Sequence, residues 1–170
     1  IGSELTVSHT GSLSGSAELY EALFKRLGII SVTNPSQFLE TLKLLCIVGA
    51  PKGARVAGFT CSGGGATMLA DHAEKINLVF PVVDPKQEND LSALLPNIAT
   101  VSNPLDYTTP IWGQAEMTYP VFAKAISAIE ADTAVLVQDY PAAGIDSSKV
   151  FYRADAVSYT HLTLPTTLSG

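Results

Sequence analysis

Two hydrophobic periods alternate along this chain. After Ser16, the apolar residues Leu19, Leu23, Phe24 and Leu27 fall on one helical stripe, with Ser16 placed to cap its start and Gly28 to stop its end. Residues 29–32 form a short β-type run. Asn34-Pro35-Ser36-Gln37 opens a second helix with a capping-box-like pattern and proline at the first helical position. Phe38, Leu39, Leu42, Leu45 and Cys46 carry the apolar face of that helix. The Gly/Pro stretch 49–53 breaks the pattern and reads as a linker. A fresh βα alternation follows. Strands are expected at 55–60, 78–83 and 133–138, with a short extended segment at 99–102. Helices are expected at 66–75, 84–95 and 116–129. The 55–60 run has little polarity, as suits a strand buried on both faces. Alternation of this kind predicts a three-layer α/β domain over residues 54–156. Its parallel sheet should have at least three strands, with helices on both faces.

Composition narrows the functional classes. Hydrophobic residues make up 46% of the 170 and charged residues 15%, which is enough apolar material for a packed core and unlike a disordered chain. The formal net charge is −6, without a Lys/Arg run or interleaved aromatics, so nucleic acid is not an expected partner. An acidic protein can still hold an anion through backbone amides and helix N-termini. Cys46 and Cys61 are too few for a disulfide scaffold and have no zinc-type spacing, so no metal site is expected. Cys46 reads as a small core residue, and Cys61 as a packed thiol rather than a reactive one. No apolar run reaches the roughly 18 residues of a membrane span, and no signal peptide opens the chain. A cytoplasmic setting without membrane contact is expected.

Three stretches could carry chemistry. In Ser8-His9-Thr10-Gly11-Ser12-Leu13-Ser14-Gly15 an imidazole sits among small residues that leave it unobstructed. With an ordinary pKa near ~6.5, a histidine is a nucleophile around neutral pH. The same composition also suits a flexible loop that happens to hold one histidine. The second stretch, Ser62-Gly63-Gly64-Gly65-Ala66, follows the buried strand as its turn into a helix. A helix N-terminus there offers unpaired N–H groups and a positive dipole end, an anion cradle. It is neither a P-loop nor a GxGxxG fingerprint, and a tight turn without a ligand is the alternative. In the third, Asn103-Pro104-Leu105-Asp106, Asn-Pro starts turns and Asp106 can cap one. A loop at the C-terminal edge of a parallel sheet would also border the ligand crevice. His72 reads as a surface or partly buried residue in mid-helix, and Tyr107 and Trp112 as packed side chains. Residues 157–170 lack any helical period, read as a non-native tail, and are given no function, His161 included.

The run SHTGSLSGS with the helix after it resembles the phosphohistidine segment of the NDP-forming acyl-CoA synthetases, relatives of succinyl-CoA synthetase. RVAGFTCSGGGATMLAD and NPLDYT resemble, in the same order, parts of that family's later CoA-ligase domain. The resemblance implies a flavodoxin-like domain, incomplete here, over 54–156. Residues 1–48 would be the C-terminal fragment of another CoA-ligase domain, and 49–53 the linker. It further implies that His9 is phosphorylated in turnover, supported by Ser8, Thr10 and Gly11, and that residues Ser62 to Ala66 meet the phosphoryl group. His9 should then lie close to the N-terminus of the helix that starts near Gly65. The implied reaction converts a small carboxylic acid, CoA and ATP to acyl-CoA, ADP and phosphate. The CoA-binding and ATP-grasp domains, with Mg²⁺, would belong to other parts of the same or a partner chain. This fragment would then be inactive alone and would bind at most phosphate. Two other classes remain open: a non-catalytic anion-binding module, and a synthetase-like regulatory region of a protein acetyltransferase.

Overall fold

The computed structural model describes residues 16–138, and the chain divides into two compact units, residues 1–50 and 51–170. The His9 loop with Ser8, Thr10 and Gly11, and the tail at 157–170, lie outside the described residues.

In the first unit, helix α1 (Ala17–Leu27) starts and stops where its local chemistry dictates. The Ser16 hydroxyl accepts from the Leu19 N–H at 3.4 Å, and Gly28 closes the helix in the left-handed region at φ 67°. Helix α2 (Pro35–Ile47) is capped by Asn34, whose Oδ1 accepts from the Gln37 N–H at 2.9 Å. The reciprocal bond of this box comes one residue early, with Gln37 Oε1 accepting from the Thr33 N–H at 2.9 Å. Two expectations are corrected. Residues 29–32 form no strand, and Cys46 is exposed rather than a core residue. The periodicity of α2 is present, but Phe38, Leu39 and Leu42 on its apolar face are exposed.

The second unit is built on strand β1 (Val56–Thr60), all five residues of which are buried. It leads directly into α3 (Gly63–Lys75). Then come the short α4 (Glu88–Ser92), strand β2 (Leu105–Asp106), a 3₁₀ turn at Thr109–Ile111, α5 (Ala115–Ala128) and β3 (Thr133–Leu136). The sheet is parallel in the order β2-β1-β3, with Val56 opposite Thr133 and Thr60 opposite Asp106. Side chains alternate between its faces. Gly58 faces Leu69 of α3, where an added Cβ would stand 2.9 Å from Leu69 Cδ2. Phe59 faces the other way, onto Phe122 of α5, with ring centroids 4.9 Å apart. Helices therefore cover both faces, as the apolar strand implied. Tyr107 packs edge-on against Phe122 at 5.1 Å, and Leu91, Leu105, Ile111 and Val121 complete a core closed to solvent.

Several boundaries differ from expectation. Residues 78–83 make a single bridge, Val79 opposite Arg55 just before β1, because Pro81 has no N–H with which to continue a ladder along the strand. The helix expected at 84–95 shortens to α4. The Asp84 carboxylate accepts from the Lys86 N–H at 3.0 Å and folds residues 84–87 into a turn instead. The extended segment expected at 99–102 gives way to β2, two residues long and a few positions later.

At the opposite end of β1 from the glycines, Asp132 accepts from the Arg55 N–H at 3.0 Å and pairs with its guanidinium, Oδ1 to Nη2 also at 3.0 Å. The Arg55 side chain, then its backbone N–H, hold the Asp132 carboxyl below the usual carboxylate range. A depressed folded-state pKa stabilises the fold above the unfolded pKa, and the contribution is lost as pH falls through the folded value. Chemical denaturation of Asp132→Asn followed across acid pH should therefore give a flatter loss of stability below about pH 4 than the unaltered chain. Phe122→Ala, which removes the ring shared by Phe59 and Tyr107, should cost about 3–5 kcal/mol in the same measurement.

Candidate functional site

The C-terminal end of β1 carries the residues singled out around the glycines. The structure starts the helix three residues earlier than expected: Gly63, Gly64 and Gly65 are the first turn of α3, not a loop before it. Ser62 makes this start possible. Its backbone is extended, its hydroxyl accepts from the Gly65 N–H at 3.1 Å, and its carbonyl accepts from the Ala66 N–H at 3.0 Å. The amides at the first two helical positions, Gly63 and Gly64, have no acceptor within the helix.

The three glycines serve different ends. A Cβ on Gly65 would stand 2.5 Å from Thr60 Oγ1, and Thr60 is a buried, β-branched residue with little room to turn. Gly65 is therefore a packing requirement of the strand-to-helix corner. A Cβ on Gly64 would meet nothing within 4 Å, so the space over that amide is open. A Cβ on Gly63 would lie 3.6 Å from Asp106 Oδ2. The parallel pairing of Thr60 with Asp106 thus brings the third motif to the second. Asp106 Oδ1 accepts from the Thr108 N–H at 2.9 Å, which turns the chain sharply, with Thr108 at φ 67°.

Asn103 has a different place from the one its turn-starting sequence suggests. Its carboxamide lies in the ladder beside β1. Oδ1 accepts from the Gly58 N–H at 2.9 Å, while Nδ2 donates to the Val56 carbonyl at 2.8 Å and to the Pro81 carbonyl at 2.9 Å. A groove of about 320 Å³ beside it is lined by Val82, Val83, Glu88, Val101, Ser102 and Asn103, and does not include the glycine turn. Cys61 packs against the core, as expected of it, Tyr107 is wholly buried, and His72 is exposed in the last turn of α3. Among the described residues no three His, Cys, Asp or Glu side chains gather as a metal site, and no helix is long and apolar enough to cross a membrane. The residues missed from sequence are Thr60, which shapes the corner, and Gly58. The small residue inside an apolar strand is the one visible signal for the latter.

Residues 1–45 match the family of succinyl-CoA ligase like flavodoxin domains. The alpha subunit of an ADP-forming acetate–CoA ligase, form II, from Pyrococcus furiosus is 35% identical over 113 residues, which cover 66% of this chain and 24% of that protein. An ADP-forming acetate–CoA ligase from Methanocaldococcus jannaschii is 30% identical over 106 residues, covering 62% of this chain and 15% of the relative. The fold matches a dinucleotide-forming acetyl-coenzyme A synthetase from Candidatus Korarchaeum cryptofilum, solved with phosphate and ADP. The TM-score is 0.70 at 20% identity, covering 94% of this chain and 33% of that one. The chain spans about a quarter or less of the length of these curated relatives.

The contrast between neighbouring glycines can be measured. Gly64→Ala should leave thermal stability unchanged or raise it by less than about 1 kcal/mol, since the Cβ enters open space in a helix. Gly65→Ala should lower stability by about 1–3 kcal/mol, because Thr60 must move.

Proposed function

From this kinship with the ADP-forming acetate–CoA ligases, we propose that the chain is part of an acyl-CoA synthetase that works through a phosphohistidine relay. The observation that carries the reading is the pair of Gly63 and Gly64 amides at the start of α3, with open space over Gly64 and a buried strand behind them. His9 is the relay residue. Its imidazole attacks the phosphorus of an acyl phosphate, the acyl P–O bond breaks, and the carboxylate leaves. The nucleoside diphosphate then takes the phosphoryl group as the N–P bond breaks, restoring neutral imidazole. Between the two steps the phosphoryl dianion rests against the first turn of α3, where backbone N–H groups and the helix dipole offset its charge. Phosphoryl transfer needs little from a protein beyond positioning and charge stabilisation, which a rigid helix start supplies. The carboxylic acid is a small one. CoA, ATP and Mg²⁺ are held by domains outside these residues, in the same or a partner chain.

In the parent protein containing this chain, incubation with labelled ATP and Mg²⁺ should phosphorylate His9. The label should survive alkali and be lost in acid, as a phosphoramidate is. His9→Ala should abolish both the label and net acyl-CoA formation. An unlabelled His9→Ala protein with full turnover would instead favour a non-catalytic anion-binding role for the turn, or a regulatory one. Replacing Gly64 with valine should slow turnover while leaving the fold intact, because it obstructs the amides without touching the core.

A further inference from the structure

Asn103 and Asp106 belong to one short run, yet the structure gives them unlike surroundings. The Asn103 carboxamide is held by three hydrogen bonds to two other segments, which use its acceptor and both Nδ2 protons. It takes from Gly58 and gives to Val56, as a peptide group of a neighbouring parallel strand would. Proline stands in both flanking segments, at Pro81 and Pro104, so neither position has a backbone N–H to offer. Pro104 itself packs over Gly58, where an added Cβ would stand 3.0 Å from Pro104 Cβ. Immediately downstream is β2, only two residues long. So short a strand has little pairing of its own to set its register, and a slip of one residue would turn Asp106 to the opposite face of the sheet. In the observed register Asp106 lies level with Thr60, with Oδ2 beside Gly63.

We infer that Asn103 is a positioning residue for Asp106. By occupying the ladder place opposite Gly58 it locks β2 in register and holds the Asp106 carboxylate at the first turn of α3, where its charge opposes an incoming phosphoryl anion. This rests on the proposed reading of that turn as the phosphoryl seat. An intermediate that must be passed on gains nothing from being bound too tightly, since only interactions stronger in the transition state speed its transfer. A carboxylate at the edge of the seat lowers the stability of the resting dianion and leaves the backbone amides free to act.

The test uses this chain, isotope-labelled, with inorganic phosphate as the probe. Asn103→Ala should shift the amide signals of Gly63, Gly64 and Thr108, and Asp106→Asn should shift the same three. The double variant should add nothing to Asp106→Asn alone. At low salt Asp106→Asn should bind phosphate about tenfold more tightly than the unaltered chain, as removal of one unit charge near a dianion implies. Asn103→Ala should also tighten binding, by a part of that factor. The sign separates positioning from damage, because a chain merely loosened by the substitution would bind phosphate more weakly or no differently. Unmoved Gly63, Gly64 and Thr108 signals, or additive effects in the double variant, would overturn the inference. If Asn103→Ala does not fold, Asp106→Asn decides alone. Coupling is reciprocal, so the Asn103 side-chain amide and the Gly58 N–H must respond to it, and their indifference would overturn the proposal. Phosphate binding by none of the variants would overturn the reading of the turn as a phosphoryl seat and the charge role of Asp106, with the amide shifts still deciding the register lock.

Discussion

A strand buried on both faces must find partners inside the protein for the peptide groups along both of its edges, and the second unit is arranged around meeting that demand for β1. One edge is simple: β3 runs beside it through four paired residues. The other edge is served in three pieces. The Val56 N–H donates to the Val79 carbonyl at 2.8 Å, the Asn103 carboxamide serves Val56 and Gly58, and the Tyr107 N–H donates to the Thr60 carbonyl at 2.9 Å. Without the Asn103 side chain, a donor on Gly58 and acceptors on Val56 and Pro81 would lose these partners in a part-buried place, where an unpaired group costs up to about 1–3 kcal/mol. The side chain thus does the work of a strand that two prolines prevent from forming, and it lets the chain cross from the segment around Val79 to β2 on the same edge.

That substitution of side chain for backbone explains what sequence reading caught and what it missed. Helix ends were legible wherever the signal is local. Ser16, Gly28, Asn34 and Pro35 each act within a few residues of themselves, and each acts as its residue type implies. The β1 strand was legible from its lack of polarity, and α5 from its periodicity to within a residue at each end. Residues 78–83 look like a strand because their composition is that of one. What prevents it is Pro81 together with a carboxamide more than twenty positions away, which no local pattern contains. At two residues, β2 is too short to have a period. Asp106 reaches the glycines through sheet register, a non-local quantity, so its nearness to Gly63 was not readable from the motif alone.

The glycine turn shows the same limit from another side. Three consecutive glycines are poor helix formers, and sequence reasoning places them before the helix rather than in it. The structure puts them inside: the Ser62 cap holds the first turn in place of intrinsic propensity, and at Gly65 the corner leaves no room for a Cβ beside Thr60. Gly64 is under no such steric demand. A Cβ there would meet nothing within 4 Å, so packing places no limit on the side chain at that position.

An acidic chain with a net charge of −6 has no general field with which to draw in a phosphoryl group, and the stretch from Thr60 to Thr67 contains no lysine or arginine. What this stretch offers an anion is backbone N–H groups and the dipole of α3, which together amount to a fraction of a unit charge. On the proposed reading this weakness suits a relay. A full cation in the seat would deepen the well in which the phosphohistidine sits, and both the step that forms it and the step that discharges it cross barriers measured from that well. Partial charges fixed on a rigid helix start can lower both barriers without making the intermediate a sink. The Asp106 carboxylate, held at the rim by a strand register that Asn103 sets, pushes the balance the same way.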